Sequence, residues 1–418
     1  MDIKETAIRI AKRAMSASPT IRTANTKLKN NVLQLIAEKI EQKKSEVLKE
    51  NEKDIEIAVK NKLSKALIDR LSLNDKKIQL MIESVHQVIM LTDPVGEIFD
   101  MRTRPNGLKI GRMRVPIGVI FIIYESRPNV TIESAILCIK SGNTAILRGG
   151  KESMNTNRIL SEIIRESLNE AGLPKDGLIF VDSTDRELVQ ELLLLENYIN
   201  LVIPRGGESL IRAVAEKSRI PVIKHYKGIC HIYVDKDADE SKALELCLNA
   251  KCQRPATCNA METLLVHKDL SKSFLPKMVD KFISSGVELR GCPKTRKLFP
   301  NISRATEEDW HTEYLDLILS VKIVENLEEA IDHIEKYGSH HSDGIITENY
   351  TTAWVFVNSV DSAACYVNAS TRFTDGFEFG LGAEVGISTD KIHCRGPMGL
   401  LELTVPKWII FGNGQVRE

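Results

Sequence analysis

Ile117-Gly118-Val119-Ile120-Phe121-Ile122-Ile123 is a nearly continuous apolar run, and the way it is buried decides the fold. A strand with one wet face alternates apolar and polar side chains. A run without that alternation has both faces covered, the condition of a parallel strand between two layers of helix. Upstream, residues 1 to 92 read as helices able to supply such cover: Leu28, Val32, Leu33, Ile36, Ala37 and Ile40 recur at helical spacing, as do Ile78, Met81, Ile82, Val85 and Ile89. Downstream the signals alternate as helix 130–140, strand 144–147, helix 153–171 closed by Gly172, strand 178–181, helix 186–195, strand 201–203, helix 208–215 and strand 221–223. The pattern predicts a doubly wound nucleotide-binding domain.

A second alternating block predicts a second α/β domain: strand 229–234, helix 241–247, strand 263–266, helix 271–282, then strand 317–324, helix 327–334, strand 344–347 and strand 364–368. Segments 108–115 and 403–412, the latter carrying Trp408-Ile409-Ile410-Phe411, are extended and belong to neither block. Their edges invite pairing with another subunit, or equally a sheet extension within one chain.

A chain of 418 residues is long enough for two or three cores. Lysine plus arginine number 57 and aspartate plus glutamate number 57, so no net field draws it to nucleic acid or a membrane surface. No apolar run reaches the roughly 18 residues of a membrane span, and the opening Met1 to Arg13 stretch mixes charge with apolar residues, unlike a secretory signal. The eight cysteines are scattered without CxxC pairing and read as free thiols of a cytoplasmic protein.

One cysteine differs in setting. Cys258 lies in Lys251-Cys252-Gln253-Arg254-Pro255-Ala256-Thr257-Cys258-Asn259, a polar, proline-broken turn before a strand, where Arg254 and Lys251 would favour the reactive thiolate. Cys138, Cys230, Cys247 and Cys365 sit on apolar segments and suit inert core thiols; Cys252, at a helix end, is the nearest competitor. Two glycine turns follow predicted strands and open helices: Arg148-Gly149-Gly150-Lys151 and Arg205-Gly206-Gly207-Glu208. Bare amides at a helix start beside a cation suit phosphate oxygens, although each is equally readable as a plain β-to-α turn. The histidines, His340-His341 with Asp343 and His225 with His231, lack a recognised zinc spacing, so no metal is expected.

Several separated motifs carry a resemblance. Tyr124-Glu125-Ser126-Arg127-Pro128-Asn129-Val130-Thr131, the Gln253-to-Asn259 turn, Tyr337-Gly338-Ser339-His340-His341-Ser342-Asp343 and Asn368-Ala369-Ser370-Thr371-Arg372-Phe373-Thr374-Asp375-Gly376-Phe377-Glu378-Phe379-Gly380 together closely resemble the gamma-glutamyl phosphate reductases, a family of the aldehyde-dehydrogenase superfamily. The resemblance runs end to end. It implies an aldehyde-dehydrogenase-like α/β fold: a doubly wound NADP-binding domain over 1–228, with 104–116 part of a small β oligomerisation extension, a catalytic α/β domain over 229–366, and over 367–418 a substrate loop, a return to the core and a C-terminal oligomerisation arm.

It further implies NADPH-dependent reduction of L-glutamyl 5-phosphate, the second step of proline synthesis, with Cys258 as the nucleophile forming a thioester and Asn129 resembling the oxyanion asparagine. Arg127 and Arg254 become candidates for the departing phosphate, or for structural ion pairs. Ser370, Thr371, Arg372, Asp375 and Gly376 match the acyl-pocket loop. Arg148, Gly149, Gly150, Lys151, Arg205, Gly206, Gly207 and Asp316 become cofactor candidates, with Lys151 at the 2′-phosphate and Asp316 near the nicotinamide ribose. Segment 222–230 contains no glutamate to activate a deacylating water, which suits a reductase. The expected partners are a second copy of the chain and a separate glutamate kinase. The rivals are an oxidative or CoA-acylating aldehyde dehydrogenase, and a nucleotide-sensing scaffold without catalysis.

Overall fold

The computed structural model describes residues 2–417 and forms two compact units. The first comprises the chain up to 224, 380–386 and the residues from 398 onward; the second comprises 225–379 and 387–397.

The first unit opens with five helices, α1 (Ile3–Thr23), α2 (Thr26–Gln42), α3 (Lys44–Lys60), α4 (Lys65–Leu71) and α5 (Asp75–Met90). Asp2, Asn25, Ser64 and Asn74 accept first-turn amides of α1, α2, α4 and α5, which is why those helices start where they do. The α2 stripe is buried as its spacing predicts, except that Leu28 is only half-buried while Lys29 is enclosed, its ammonium 2.9 Å from Asp93. Next come β1 (Ile98–Thr103), β2 (Lys109–Pro116), β3 (Val119–Tyr124), α6 (Asn129–Lys140), β4 (Thr144–Arg148), α7 (Met154–Glu170), β5 (Leu178–Phe180), α8 (Arg186–Leu193), β6 (Leu201–Arg205) and α9 (Glu208–Lys217).

All six residues of β3 are buried, as its unbroken apolar run predicts, and the parallel order is β5-β4-β3-β6. Ala7, Ala11 and Ala14 of α1 let that helix pack close over Phe121, Ile146 and Val202. The strand expected over 221–223 is reduced to a single bridge, Val202 to Val222. The chain leaves β3 toward β4 on one side and returns to β6 on the other. That order makes the carboxyl ends of β3 and β6 the switch point where open parallel sheets bind ligands.

The second unit runs β7 (Cys230–Val234), α10 (Glu240–Cys252), β8 (Met261–His267), α11 (Phe274–Ser284), β9 (Glu288–Gly291), α12 (Pro293–Leu298), β10 (Ser303–Arg304), α13 (Glu307–Trp310), β11 (Ile318–Val324), α14 (Leu327–Tyr337), β12 (Ser342–Ile346), α15 (Tyr350–Ser359) and β13 (Ala364–Val367), with a short antiparallel pair β14 (Ile387–Ser388) and β15 (Gly396–Pro397). Its sheet has seven parallel strands in the order β10-β9-β11-β8-β7-β12-β13. The sequence pattern assigns no element over 283–316 and no helix at α15, although parallel β12 and β13 require a crossover.

The last strand, β16 (Thr404–Phe411), belongs to the first unit and pairs antiparallel with β2 from Thr404 opposite Pro116 to Phe411 opposite Lys109. The two extended segments thus pair with each other inside one chain, and β1, unforeseen from sequence, closes the other side in the order β1-β2-β16. Among the described residues no helix is long and apolar enough to cross a membrane.

Candidate active site

β8, β7 and β12 are neighbours in the second unit's sheet, and the segments entering them meet at its amino edge. Those segments bring Cys258, His225 and His341 together: the Cys258 sulfur and one ring nitrogen of each histidine lie within 4.8 Å of one another. Nδ1 of His225 is 2.9 Å from the Ile387 carbonyl, which can only accept, so that nitrogen carries a proton. Nδ1 of His341 is 2.9 Å from the Ser342 hydroxyl, and burial, helped by His225, lowers the His341 pKa to about 3, so it stays neutral.

Cys258 is half-buried, and its carbonyl accepts the Cys230 thiol at 3.2 Å. A Cβ at Gly228 would run into that same carbonyl, so the close approach requires glycine. The Gly228 amide donates to Glu313 at 2.9 Å. None of the eight cysteines, all among the described residues, is in a disulfide; burial pushes Cys138 up to about 12 and raises Cys230, Cys247, Cys252 and Cys365 as well.

Lys251 does not serve the thiol as its sequence position suggests. It is fully buried and paired with Glu262 at 2.6 Å, whose carboxyl burial pushes up to about 7. Asn259, next to the thiol, holds the loop that follows β13. Its side-chain amide donates to the Arg372 and Thr374 carbonyls at 3.2 and 2.9 Å, and its backbone carbonyl accepts the Thr371 hydroxyl at 2.8 Å. Arg372 bonds the Asn259 side-chain oxygen and Gln253. Burial lowers the Arg372 pKa and Arg254 lowers it further, while Cys258 and Asp375 oppose, so these four groups share one electrostatic neighbourhood.

In the first unit the carboxyl ends of β3, β4 and β6 carry Glu125-Ser126-Arg127 and the two glycine turns. Ser126 donates to Glu152 at 2.8 Å, and the Gly207 amide donates to Glu125 at 2.9 Å across the switch point. A Cβ at Gly149 would strike the Asn157 amide, and one at Gly150 would come within 2.8 Å of the Ser126 hydroxyl and the Glu152 carboxylate. Arg148 Nε is buried without a hydrogen-bond partner, and Lys151 is exposed beside it. Glycine amides at strand ends with two cationic side chains nearby can accept phosphate oxygens.

Residues 2–312 match the aldehyde dehydrogenase family. A gamma-glutamyl phosphate reductase of Thermodesulfovibrio yellowstonii is 55% identical over 418 residues, covering 100% of both chains. The chain belongs to the aldehyde dehydrogenase family, among its gamma-glutamyl phosphate reductases. The crystal structure of the gamma-glutamyl phosphate reductase of Thermotoga maritima superposes with a TM-score of 0.97 at 51% identity, over 99% of this chain and 100% of that one. At 16% identity, a glyceraldehyde-3-phosphate dehydrogenase of Methanocaldococcus jannaschii complexed with NADP shares the fold with a TM-score of 0.67, over 98% of this chain and 95% of that one.

This chain is therefore an aldehyde-dehydrogenase-family oxidoreductase, and the family uses nicotinamide cofactors. Against that family's frame the sequence candidates separate into groups. Cys258, Arg254, Arg372 and Asp375 gather in one place, with Asp375 accepting the Phe377 amide at 2.9 Å. Ser370 and Thr371 are buried, and Ser370 accepts the Arg372 amide at 3.3 Å, so both hydroxyls hold the loop; Gly376 is also buried. Asn129 opens α6 and donates to Glu133 at 2.8 Å, and Arg127 is exposed just before it. Arg205 is tied to the Glu384 carbonyl at 2.9 Å, and Gly206 packs on Glu125. Asp316 is exposed and accepts the Leu317 amide at 2.8 Å. Glu313 carries no sequence signal, and His225 and His341, read from sequence as surface or satisfied core histidines, are not joined there to Cys258; the structure brings both to it.

Proposed function

We propose that the chain reduces L-glutamyl 5-phosphate to L-glutamate 5-semialdehyde and phosphate with NADPH, by way of a thioester on Cys258, in the second step from glutamate to proline. The observation that carries this is the Cys258 setting: a half-buried thiol beside two imidazoles with fixed Nδ1 contacts, while burial raises five other thiols. The names of the relatives supply the substrate.

His225 takes the thiol proton, since burial keeps His341 from holding one. The thiolate attacks the acyl carbon, an oxyanion forms, and the C–O bond to phosphate breaks to leave the thioester. The Cys258 amide and the Asn129 side chain stabilise the oxyanion. Arg254 and Arg127 receive the phosphate, and Arg372 with Asp375 hold the α-carboxylate and α-ammonium of the glutamyl group. Gly149, Gly150, Gly206, Gly207, Arg148 and Lys151 hold NADPH, with Lys151 at its 2′-phosphate; Glu125 at Gly207 suits ribose hydroxyls. When bound, NADPH supplies the hydride that turns the thioester carbon into a thiohemiacetal. Collapse of that thiohemiacetal breaks the C–S bond, frees the aldehyde and returns the proton to the thiol. No carboxylate in 222–230 activates water against the waiting thioester.

The enzyme works as a homo-oligomer in the cytoplasm, which its eight free thiols suit, and takes its substrate from a separate kinase. The test is NADP reduction with glutamate semialdehyde: it should require phosphate, and Cys258→Ser should lower kcat by about 10³-fold or more. CoA replacing phosphate, or a Cys258→Ser enzyme at full rate, would overturn the proposal.

A further inference from the structure

Three ligand-type side chains converge at the amino edge of the second unit's sheet, and acyl transfer does not account for all of them. A soft sulfur and two imidazole nitrogens stand within 4.8 Å of one another. In a tetrahedral zinc site, metal–ligand distances near 2.0–2.3 Å put neighbouring ligand atoms about 3.4–3.7 Å apart, so closure needs only a contraction on the order of 1 Å. Cys258 and His225 are half-buried; His341 is enclosed.

The remaining ring atoms are arranged as outer partners of ligating histidines are. Nδ1 of His225 donates to the Ile387 carbonyl, the kind of outer contact that orients a ligating imidazole. Nδ1 of His341 contacts Ser342, whose hydroxyl bonds Thr374 at 2.6 Å, and Thr374 in turn bonds the Tyr366 hydroxyl at 2.7 Å. Nε2 of His341 is buried with no hydrogen-bond partner, a polar atom that ordinarily costs stability unless something occupies it. One cysteine and two histidines leave a fourth position open, and the mix of thiolate and imidazole selects zinc-like cations over magnesium or calcium.

We propose that Cys258, His225 and His341 form a binding site for one thiophilic divalent cation of the zinc class, which caps the nucleophile and switches the enzyme off reversibly. On binding, the thiol releases its proton to solvent and the sulfur lone pair goes to the metal, so it cannot attack an acyl carbon. Metal binding stands on the three side chains alone; the inhibition rests on the catalytic reading above.

The experiment uses the full chain, reduced with a phosphine and freed of metal by chelation, with Co²⁺ as the spectroscopic probe. One Co²⁺ per chain should bind with a thiolate-to-cobalt charge-transfer band that Zn²⁺ displaces and Mg²⁺ does not. The band should vanish in Cys258→Ser, and His225→Asn should weaken binding at least tenfold. His341→Asn should do the same, with circular dichroism reporting whether that buried change still folds; His225→Asn decides the matter where it does not. Stoichiometric Zn²⁺ should also slow iodoacetamide alkylation of Cys258, mapped by mass spectrometry, by tenfold or more. Absence of Co²⁺ binding, binding without the charge-transfer band, or equal binding in Cys258→Ser overturns the site. A metal site in an enzyme whose Cys258→Ser variant keeps full activity would instead remove the catalytic reading and leave the site standing.

Discussion

Lys251 and Lys151 are both lysines beside candidate chemistry, and burial gives them opposite uses. Lys251 is sealed against Glu262 and lies 5.8 Å from the Tyr314 ring centroid, so its charge is spent on structure. Sequence proximity to Cys258 could not reveal this, because Glu262 and Tyr314 reach it only through the fold. Lys151 is exposed at the start of the helical segment after the glycine turn, with nothing buried competing for its ammonium. Replacing it by alanine should raise the KM for NADPH about tenfold, near 1.4 kcal/mol of lost phosphate contact, and leave the KM for NADH unchanged. Equal losses for both dinucleotides would place the 2′-phosphate elsewhere. The polar, proline-broken turn singles out Cys258 in the sequence, whereas nothing local joins His341 to it, since that follows from β12 lying next to β7.

At the scale of elements, α7 shows how the helical layer supports the nucleotide turn. Ser153 gives α7 no side-chain cap; Asp54 of α3, itself buried, accepts the Asn155 amide at 3.2 Å and the Thr156 amide and hydroxyl at 2.9 and 2.6 Å. Asp54→Ala leaves those donors buried and unpaired, so it should lower stability by roughly 1–3 kcal/mol in chemical denaturation and also weaken NADPH binding, because 149–153 leads into α7. Asp309 predicts an acid response. Burial would raise its pKa, but the Thr306 amide, Arg290, the Thr306 hydroxyl and Tyr314 outweigh that and lower it from 3.8 to about 2. A depressed folded pKa stabilises above the unfolded value, so this contribution is present above pH 4 and fades as pH falls from about 4 to 2. Asp309→Asn should cost on the order of 1–2 kcal/mol at pH 7 and flatten that limb of an acid-unfolding curve. The long periodic helices and apolar strands were readable because each carries its own pattern. α15 was missed because Tyr350-Thr351-Thr352-Ala353-Trp354-Val355-Phe356-Val357 is β-branched and aromatic, and only the crossover makes it helical.

For the whole molecule, balanced charge leaves apolar contact as the means by which the proposed homo-oligomer would assemble. β1 and β16 are the outer strands of the antiparallel sheet, and their side chains are unlike those of a protected edge. On one face of this sheet Trp408 is 65% exposed and Ile410 56%, and on the other Phe411 is 57% and Ile98 51%, large apolar groups of the kind that mark interaction surfaces. Arg112 sits over both Phe99 and Trp408, which orders the aromatic face without covering it. If the proposed homo-oligomer pairs through this sheet, light scattering should report a multiple of the 46.9 kDa chain mass. Trp408→Asp with Ile410→Lys should shift the scattering mass toward one chain while circular dichroism stays unchanged, because neither side chain is buried within the chain. Activity need not fall in proportion, since Cys258 and the glycine turns lie on other elements. A monomeric parent, or a double variant that keeps the parent mass, would mean that the apolar sheet serves some other purpose than self-assembly.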